Sequence, residues 1–300
     1  MRRNGRNVTD VITDVDPVAL RRGVLAVSVL DDVAVEATDA GAVLRASFVA
    51  TEAVTVPWLR LARALDGADP GSTAGRLRLR DWLRVRAHLA AHGQGCGPDV
   101  LPMALPVGHA VHPGSSWVRE RVPGGVLDIG LGLRLGPPGS QQVVPLAVGA
   151  LACADVRSTP WWPVARTRLD ELGWLAARRV ERDGSSVLRP VGGCDVLTLL
   201  ASAELRGPLA RADGSGMRSV AAPMRSRGWF DLSRVDPAFV AAAAAATDDE
   251  HRGVARPLLV TAEEVGASPQ RRTPAALAQI VLSDPSVDDP AWRRPAQLRR

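Results

Sequence analysis

Between Leu127 and Leu135 the chain alternates strictly. Leu127, Ile129, Leu131, Leu133 and Leu135 are apolar, and Asp128, Gly130, Gly132 and Arg134 stand between them. A period of two predicts a strand with one buried face. The other face is bare backbone at Gly130 and Gly132, where a neighbour can pack closely. Gly136-Pro137-Pro138-Gly139-Ser140 ends this strand, and residues 143–148 are expected to return beside it. Near the start, residues 23–30 are apolar and valine-rich. Residues 33–38 and 42–49 flank Asp39-Ala40-Gly41 as a hairpin, so about three antiparallel strands are expected to open the chain.

Helical spacing appears at 57–65 and most clearly at 76–92, with Gly93 as a left-handed stop. Asp16-Pro17 suits a short helical turn, with proline at the first position. Ser158 or Thr159 is expected to cap a helix from Pro160–Pro163 to Arg179. Asp195 is expected to cap another reaching Arg206, followed by a loop over 207–216. Asp236-Pro237 opens an alanine-rich helix to Ala246, and 258–260 is a short strand. Thr261 and Glu264 fit a capping box. Residues 93–125, rich in proline and glycine, read as ordered loop with short extended pieces.

The expected fold class is α+β: a mostly antiparallel sheet in the first half, from residues 20–50 and 125–150, with packed helices, and a helix-rich second half. Strands and helices do not alternate regularly enough for a doubly wound parallel sheet. The expected divisions are a flexible arm at 1–16, a sheet-rich domain at 17–150, a helix-rich lobe or continuation at 151–265, and a Pro/Arg-rich tail at 266–300 with one helical segment near 274–282.

Composition narrows the chemistry. Of 300 residues, 46% are hydrophobic and 23% charged. That is ordinary for a globular chain and excludes wholesale disorder. All 37 basic residues are arginine, and tyrosine is absent. Asparagine occurs only at Asn4 and Asn7, a bias typical of high-GC bacteria. Without lysine there is no P-loop, no Schiff-base amine and no kinase strand lysine. The pI of about 10.5 reflects arginine's high pKa more than excess charge, for the net charge is only +5. The excess is evenly spread, with 16 Arg against 14 acids in residues 1–150 and 21 against 18 in the remainder. A dedicated DNA-binding domain would concentrate it.

Cys96, Cys153 and Cys194 lie far apart, as suits a reducing compartment. Arg2-Arg3 is followed by Asp10, Asp14 and Asp16 rather than an apolar core, so no signal peptide is expected. The longest apolar run, 143–154, holds Pro145 and falls short of the about 20 residues a membrane span needs. The expectation is a soluble, cytoplasmic protein without a membrane partner.

The chemically loaded segment is 76–112. Arg76, Arg80, Arg84, His88 and His92 recur every four residues, down one side of the predicted helix, with Asp81 on the same arc. Leu79, Trp82, Leu83, Val85, Leu89 and Ala90 occupy the opposite arc, interrupted by Arg78 and Arg86. Stacked like charges are mildly unfavourable unless an anion or acidic neighbour meets them. Arg76, Arg80 and Arg84 are therefore candidates for gripping an anion. His88 and His92 share a spacing that metals use, and Cys96, His109 and His112 could complete a zinc set. No glutamate lies between Glu52 and Glu120 to act as base, leaving Asp81 or Asp99.

Gly130, Gly132 and Gly136 lack the following helix that a dinucleotide loop needs. His112, Ser115, Ser116 and Asp128 are the residue types of a hydrolytic triad, without a nucleophile elbow. Trp161 and Trp162, between prolines, suit a partner surface or a wedge at a helix start. Arg218, Arg225, Arg227 and Arg234 flank Trp229-Phe230, a mixture that can stack on single-stranded nucleic acid. The expected function is a non-catalytic binding or scaffold protein whose arginine-rich helix meets an acidic protein or a phosphate-bearing ligand, with nucleic acid left open. The alternative is a metal-assisted hydrolase using His88, His92, His109 and His112, with zinc as its metal.

Overall fold

The computed structural model describes residues 15–45, 53–136, 141–212, 214–230 and 236–268. The fold is α+β, with antiparallel sheets, helices in both halves and strands mostly in the first. The chain forms two compact units, each assembled from separate stretches. The first comprises residues 1–99, 110–118 and 133–158; the second comprises 100–109, 119–132 and 159–300.

In the first unit, Asp16 caps α1 (Pro17–Leu30), its carboxylate accepting the Val18 N–H at 2.9 Å. The strand expected at 23–30 is thus overturned. The cap and Pro17 fix a helical first turn. Leu20, Gly23, Val24 and Val27 then fall on its buried side, at helical spacing. Valine's strand preference yields to that packing. A Cβ on Gly23 would lie 3.1 Å from both Leu79 Cδ1 and the Pro70 carbonyl oxygen, so α1 sits close on its neighbour.

β1 (Val35–Ala37), β2 (Gly41–Arg45) and β3 (Ala53–Pro57) form a three-stranded antiparallel sheet in that order. The hairpin expected there is present, although positions 46–49 lie outside the described residues. α2 (Trp58–Ala64) follows. α3 (Thr73–His92) is capped by Ser72, whose hydroxyl accepts the Gly75 N–H at 3.0 Å. It ends at Gly93, whose φ is 53°, a value that suits glycine. A 3-10 segment (Gly93–Asp99) continues from it. α1, α2, β7 (Gln142–Pro145) and α4 (Val148–Cys153) all pack against α3. It is the unit's central helix, not a surface one.

In the second unit, β4 (Val100–Pro106) is buried at every position. It lies within the stretch expected to be mostly loop. β6 (Leu127–Leu135) matches its predicted bounds, and Gly130 and Gly132 are both buried. β5 (Arg119–Arg121) pairs with it antiparallel, Arg119 opposite Gly130 and Arg121 opposite Asp128. The order is β4-β6-β5.

α5 (Trp161–Asp183) has Pro160 at its N-cap and no side-chain cap, so neither Ser158 nor Thr159 serves. Asp195 caps as expected, but α6 (Val196–Leu200) is little more than one turn long. Ser202 then opens α7 (Ala203–Arg211), so the expected loop over 207–216 begins instead after the helix. β8 (Val187–Leu188), β9 (Met217–Met224), β10 (Arg227–Trp229), β11 (Leu258–Thr261) and β12 (Val265–Ala267) form a five-stranded sheet ordered β12-β11-β9-β10-β8. All of its described pairings are antiparallel. α8 (Pro237–Ala246), capped by Asp236 as expected, packs on β9 with α7.

The capping box at Thr261 is overturned. Its hydroxyl does accept the Glu263 and Glu264 N–H groups, at 3.2 and 3.1 Å, but it does so in the β11–β12 turn. The same side-chain bond serves turns and helix starts alike. The core of this unit gathers Leu197, Leu199, Leu205, Val220, Leu258 and Val260 among others. A Cβ on Gly173 would lie 2.1 Å from Ser202 Oγ, so α5 rests directly on the start of α7. Among the described residues no helix is long and apolar enough to cross a membrane. Residues 1–14 of the expected arm (1–16) and residues 269–300 of the expected tail (266–300), including the segment near 274–282, lie outside the described residues.

Candidate functional site

The arginine row of α3 does lie along one side of the helix, but that side is engaged internally. Arg76 Nη1 donates to both oxygens of Asp31 at 2.6 Å. Arg80, 6% exposed, pairs with Asp81 at 2.6 Å. Arg84 Nη1 donates to Gln142 Oε1 at 2.8 Å. The end of α1 and the start of β7 supply acceptors where an external anion was expected. A buried guanidinium needs such partners. Arg78 likewise donates to the Leu65 carbonyl at 2.6 Å. Arg86 differs: its Nε and Nη1 are buried with no hydrogen-bond partner among the described residues. Burial lowers its pKa, and the nearby Cys153 sulfur opposes that shift.

His88 and His92 meet as the spacing predicts, their ring centroids 4.4 Å apart. His88 Nε2 lies 3.6 Å from Asp99 Oδ2, while Arg134 approaches the other carboxylate oxygen at 3.3 Å. The first of these separations is beyond hydrogen-bonding range. Burial foremost, then the charge of His92, holds His88 below its ordinary value, with Asp99 opposing. Cys96 is buried, and desolvation pushes its thiol up.

The remaining expected ligands have other roles. His112 Nδ1 accepts the Gly114 N–H at 2.9 Å, and its ring stands edge-on to Trp117. His109, in the second unit, donates from Nε2 to the Arg252 carbonyl at 2.9 Å. Among the described residues no three His, Cys, Asp or Glu side chains are grouped to hold a metal ion. The helix delivers its histidine pair and the chain after Gly93 brings Asp99 near His88, but His109 and His112 are engaged with Arg252 and Gly114 instead. The triad types are also separately employed. Ser115 Oγ donates to Asp66 at 2.9 Å and Ser116 Oγ to the Pro113 carbonyl at 2.8 Å. Asp128 accepts from Arg119 at 2.8 Å and from Arg121.

The tryptophans divide. Trp161 is buried at the first position of α5, whereas Trp162 is half-buried with the Arg166 guanidinium 5.3 Å from its ring. Further along the same helix, Trp174 is 52% and Leu175 45% exposed. Arg178 lies 5.8 Å over the Trp174 ring. Beside them α5 and α7 enclose a groove of about 410 Å³ lined by Trp174, Arg178, Glu204 and Arg211 among others. Trp174 is not among the candidates that the sequence singles out. A signal for it exists, for Glu171 and Arg178, three before and four after, are both charged. Those positions are its neighbours on the helix surface and mark the outer face. In the Arg/aromatic segment, Arg225 pairs with Asp195 at 2.6 Å and Phe230 is buried, while Arg234 lies outside the described residues.

Comparison of the chain with protein-family models, with curated proteins and with solved structures returns no match.

Proposed function

We propose that this chain is a non-catalytic binding protein of the cytoplasm that contacts a protein partner through the outward face of α5. The observation that carries the reading is Trp174, an indole about half exposed on a regular helix, with Leu175 beside it and Arg178 over it. Tryptophan and arginine are among the side chains most enriched at binding hot spots. An apolar patch rimmed by charge marks interaction surfaces. Arg76, Arg80 and Arg84 already serve Asp31, Asp81 and Gln142, so the contact is assigned to α5 rather than α3. Asp170, Glu171, Glu181 and Asp183 are interspersed with the arginines of this helix. That mixture favours a protein surface over a phosphate backbone. The free thiols of Cys96, Cys153 and Cys194 agree with a reducing compartment.

The test is an aromatic, benzophenone-bearing photo-crosslinking amino acid at position 174 of the full chain, which keeps a large ring in place of the indole, expressed in its native host, with position 36 on β1 as an exposed control. A discrete adduct from position 174 alone is expected. No adduct above the control overturns the reading.

A further inference from the structure

We infer that the partner seated on α5 is a second copy of this chain, bound as an antiparallel, twofold-symmetric helix pair; this rests on the reading of α5 as a contact face. At about 100° per residue, positions 171 and 178 project within about 20° of each other. Trp174 and Leu175 flank that direction, one to each side. Thr167, Glu171, Trp174, Leu175, Arg178 and Arg182 are all exposed, so the face points squarely outward.

The charge order along this face is self-complementary. Asp170-Glu171 precedes Trp174-Leu175, and Arg178-Arg179 follows at the same separation. A twofold axis through the midpoint of Trp174 and Leu175 sets Glu171 of each copy level with Arg178 of the other. Both lie on the central line of the face, so two equivalent ion pairs form. Thr167 comes level with Arg182. The axis keeps each indole on its own side of the interface, so the two Trp174 rings pack together, as do the two Leu175 side chains. Trp174 also lies on the side of the α5–α7 groove, which leaves room there for the second copy's indole. This is the condition for an isologous interface: one patch complementary to itself.

The existing contacts of these charges do not compete strongly. Arg178 bonds Glu181 at 3.2 Å, with both side chains more than half exposed. Such pairs hold little stability. Glu171 makes no ion pair among the described residues. A parallel pair would set Glu171 against Glu171 and Arg178 against Arg178, so charge selects the antiparallel arrangement.

Sedimentation equilibrium of the full chain over about 5–200 μM, a range suited to a small interface, tests the pairing. The parent chain is expected to dimerise. Glu171→Arg sets an introduced arginine against Arg178 of the other copy. Arg178→Glu sets an introduced glutamate against Glu171. Each alone is expected to weaken the dimer about ten-fold or more. Mixed one to one, the two variants form a heterodimer with both pairs opposite in charge, and association is expected to return to the parent level. Unchanged circular dichroism confirms that both variants fold, and Trp174→Ala provides an independent loss of contact.

A parent chain that stays monomeric over this range overturns the inference. So does a dimer indifferent to both reversals, or a mixture that fails to recover. A monomeric parent chain whose position 174 crosslinks to a different protein defeats the second-copy inference while leaving the contact face standing. Absence of any adduct defeats the contact face itself.

Discussion

Arg80 and Asp81 are consecutive on α3, yet they pair with each other inside the first unit, Nη2 to Oδ1 at 2.6 Å with each side chain 7% exposed. Adjacent helix positions do not ordinarily face one another. Burial brings the two side chains together, because neither charge can remain in the interior alone. Asp81→Asn removes one buried charge of the pair, and a loss of about 3–5 kcal/mol is expected. Urea denaturation followed by circular dichroism reads it. The double change Arg80→Met with Asp81→Leu should recover most of the loss. A single variant as stable as the parent would show that the pair is dispensable.

Further along the same helix, Arg86 presents the opposite case. Its Nε and Nη1 are buried without a hydrogen-bond partner among the described residues. Arg86→Met keeps much of the length of the side chain and removes those polar atoms. It is expected to stabilise the protein by about 1–2 kcal/mol, since an apolar replacement of a poorly paired buried charge is commonly favourable. Thermal unfolding should then shift upward by a few degrees; a downward shift would contradict this account of the site.

His88 makes folding depend on pH. Burial, joined by the charge of His92, lowers its pKa from 6.5, with Asp99 pulling the other way. The unfolded chain therefore binds this proton at a higher pH than the folded chain. Stability from the neutral ring is present above about 6.5 and is lost as pH falls from there toward the folded-state value. His88→Gln should flatten that part of the stability profile, measured by urea midpoints at about pH 7.5 and 5.5, which bracket the ordinary histidine value. An equal acid dependence in the variant would place the cause elsewhere.

The three thiols should react unequally. Cys96 and Cys194 are buried, and desolvation pushes Cys194 up to about 12, whereas Cys153 is partly exposed. The thiolate is the reactive form. A disulfide reagent at neutral pH is expected to modify one equivalent rapidly in the native protein and all three in denaturant. Cys153→Ser should abolish the fast phase, and persistence of that phase would refute the assignment.

What could be read from the residues were features set within one element. The alternation at 127–135 fixes a strand because the pleat has period two. Asp236-Pro237 fixes a helix start because the carboxylate and the ring act on the adjacent backbone alone. Expectations fail where one local signal serves two outcomes. Valines at 23–30 suit a strand until Asp16 and Pro17 start a helix, and the Thr261 hydroxyl bonds the same two amides in a hairpin turn as in a helix cap.

The candidate site divides in the same manner. Sequence by itself determined that Arg76, Arg80 and Arg84 share one side of a helix, that His88 and His92 adjoin, and that acids and arginines are spaced symmetrically about Trp174 and Leu175. All of these follow from 3.6 residues per turn. Only the tertiary structure decided which side of each helix faces water. Asp31 and Gln142 come from stretches remote in sequence to occupy the arginines of α3, and the packing of α5 on α7 leaves Trp174 outside. Periodicity names the faces of a helix, but burial depends on contacts between distant segments, and no local pattern encodes those.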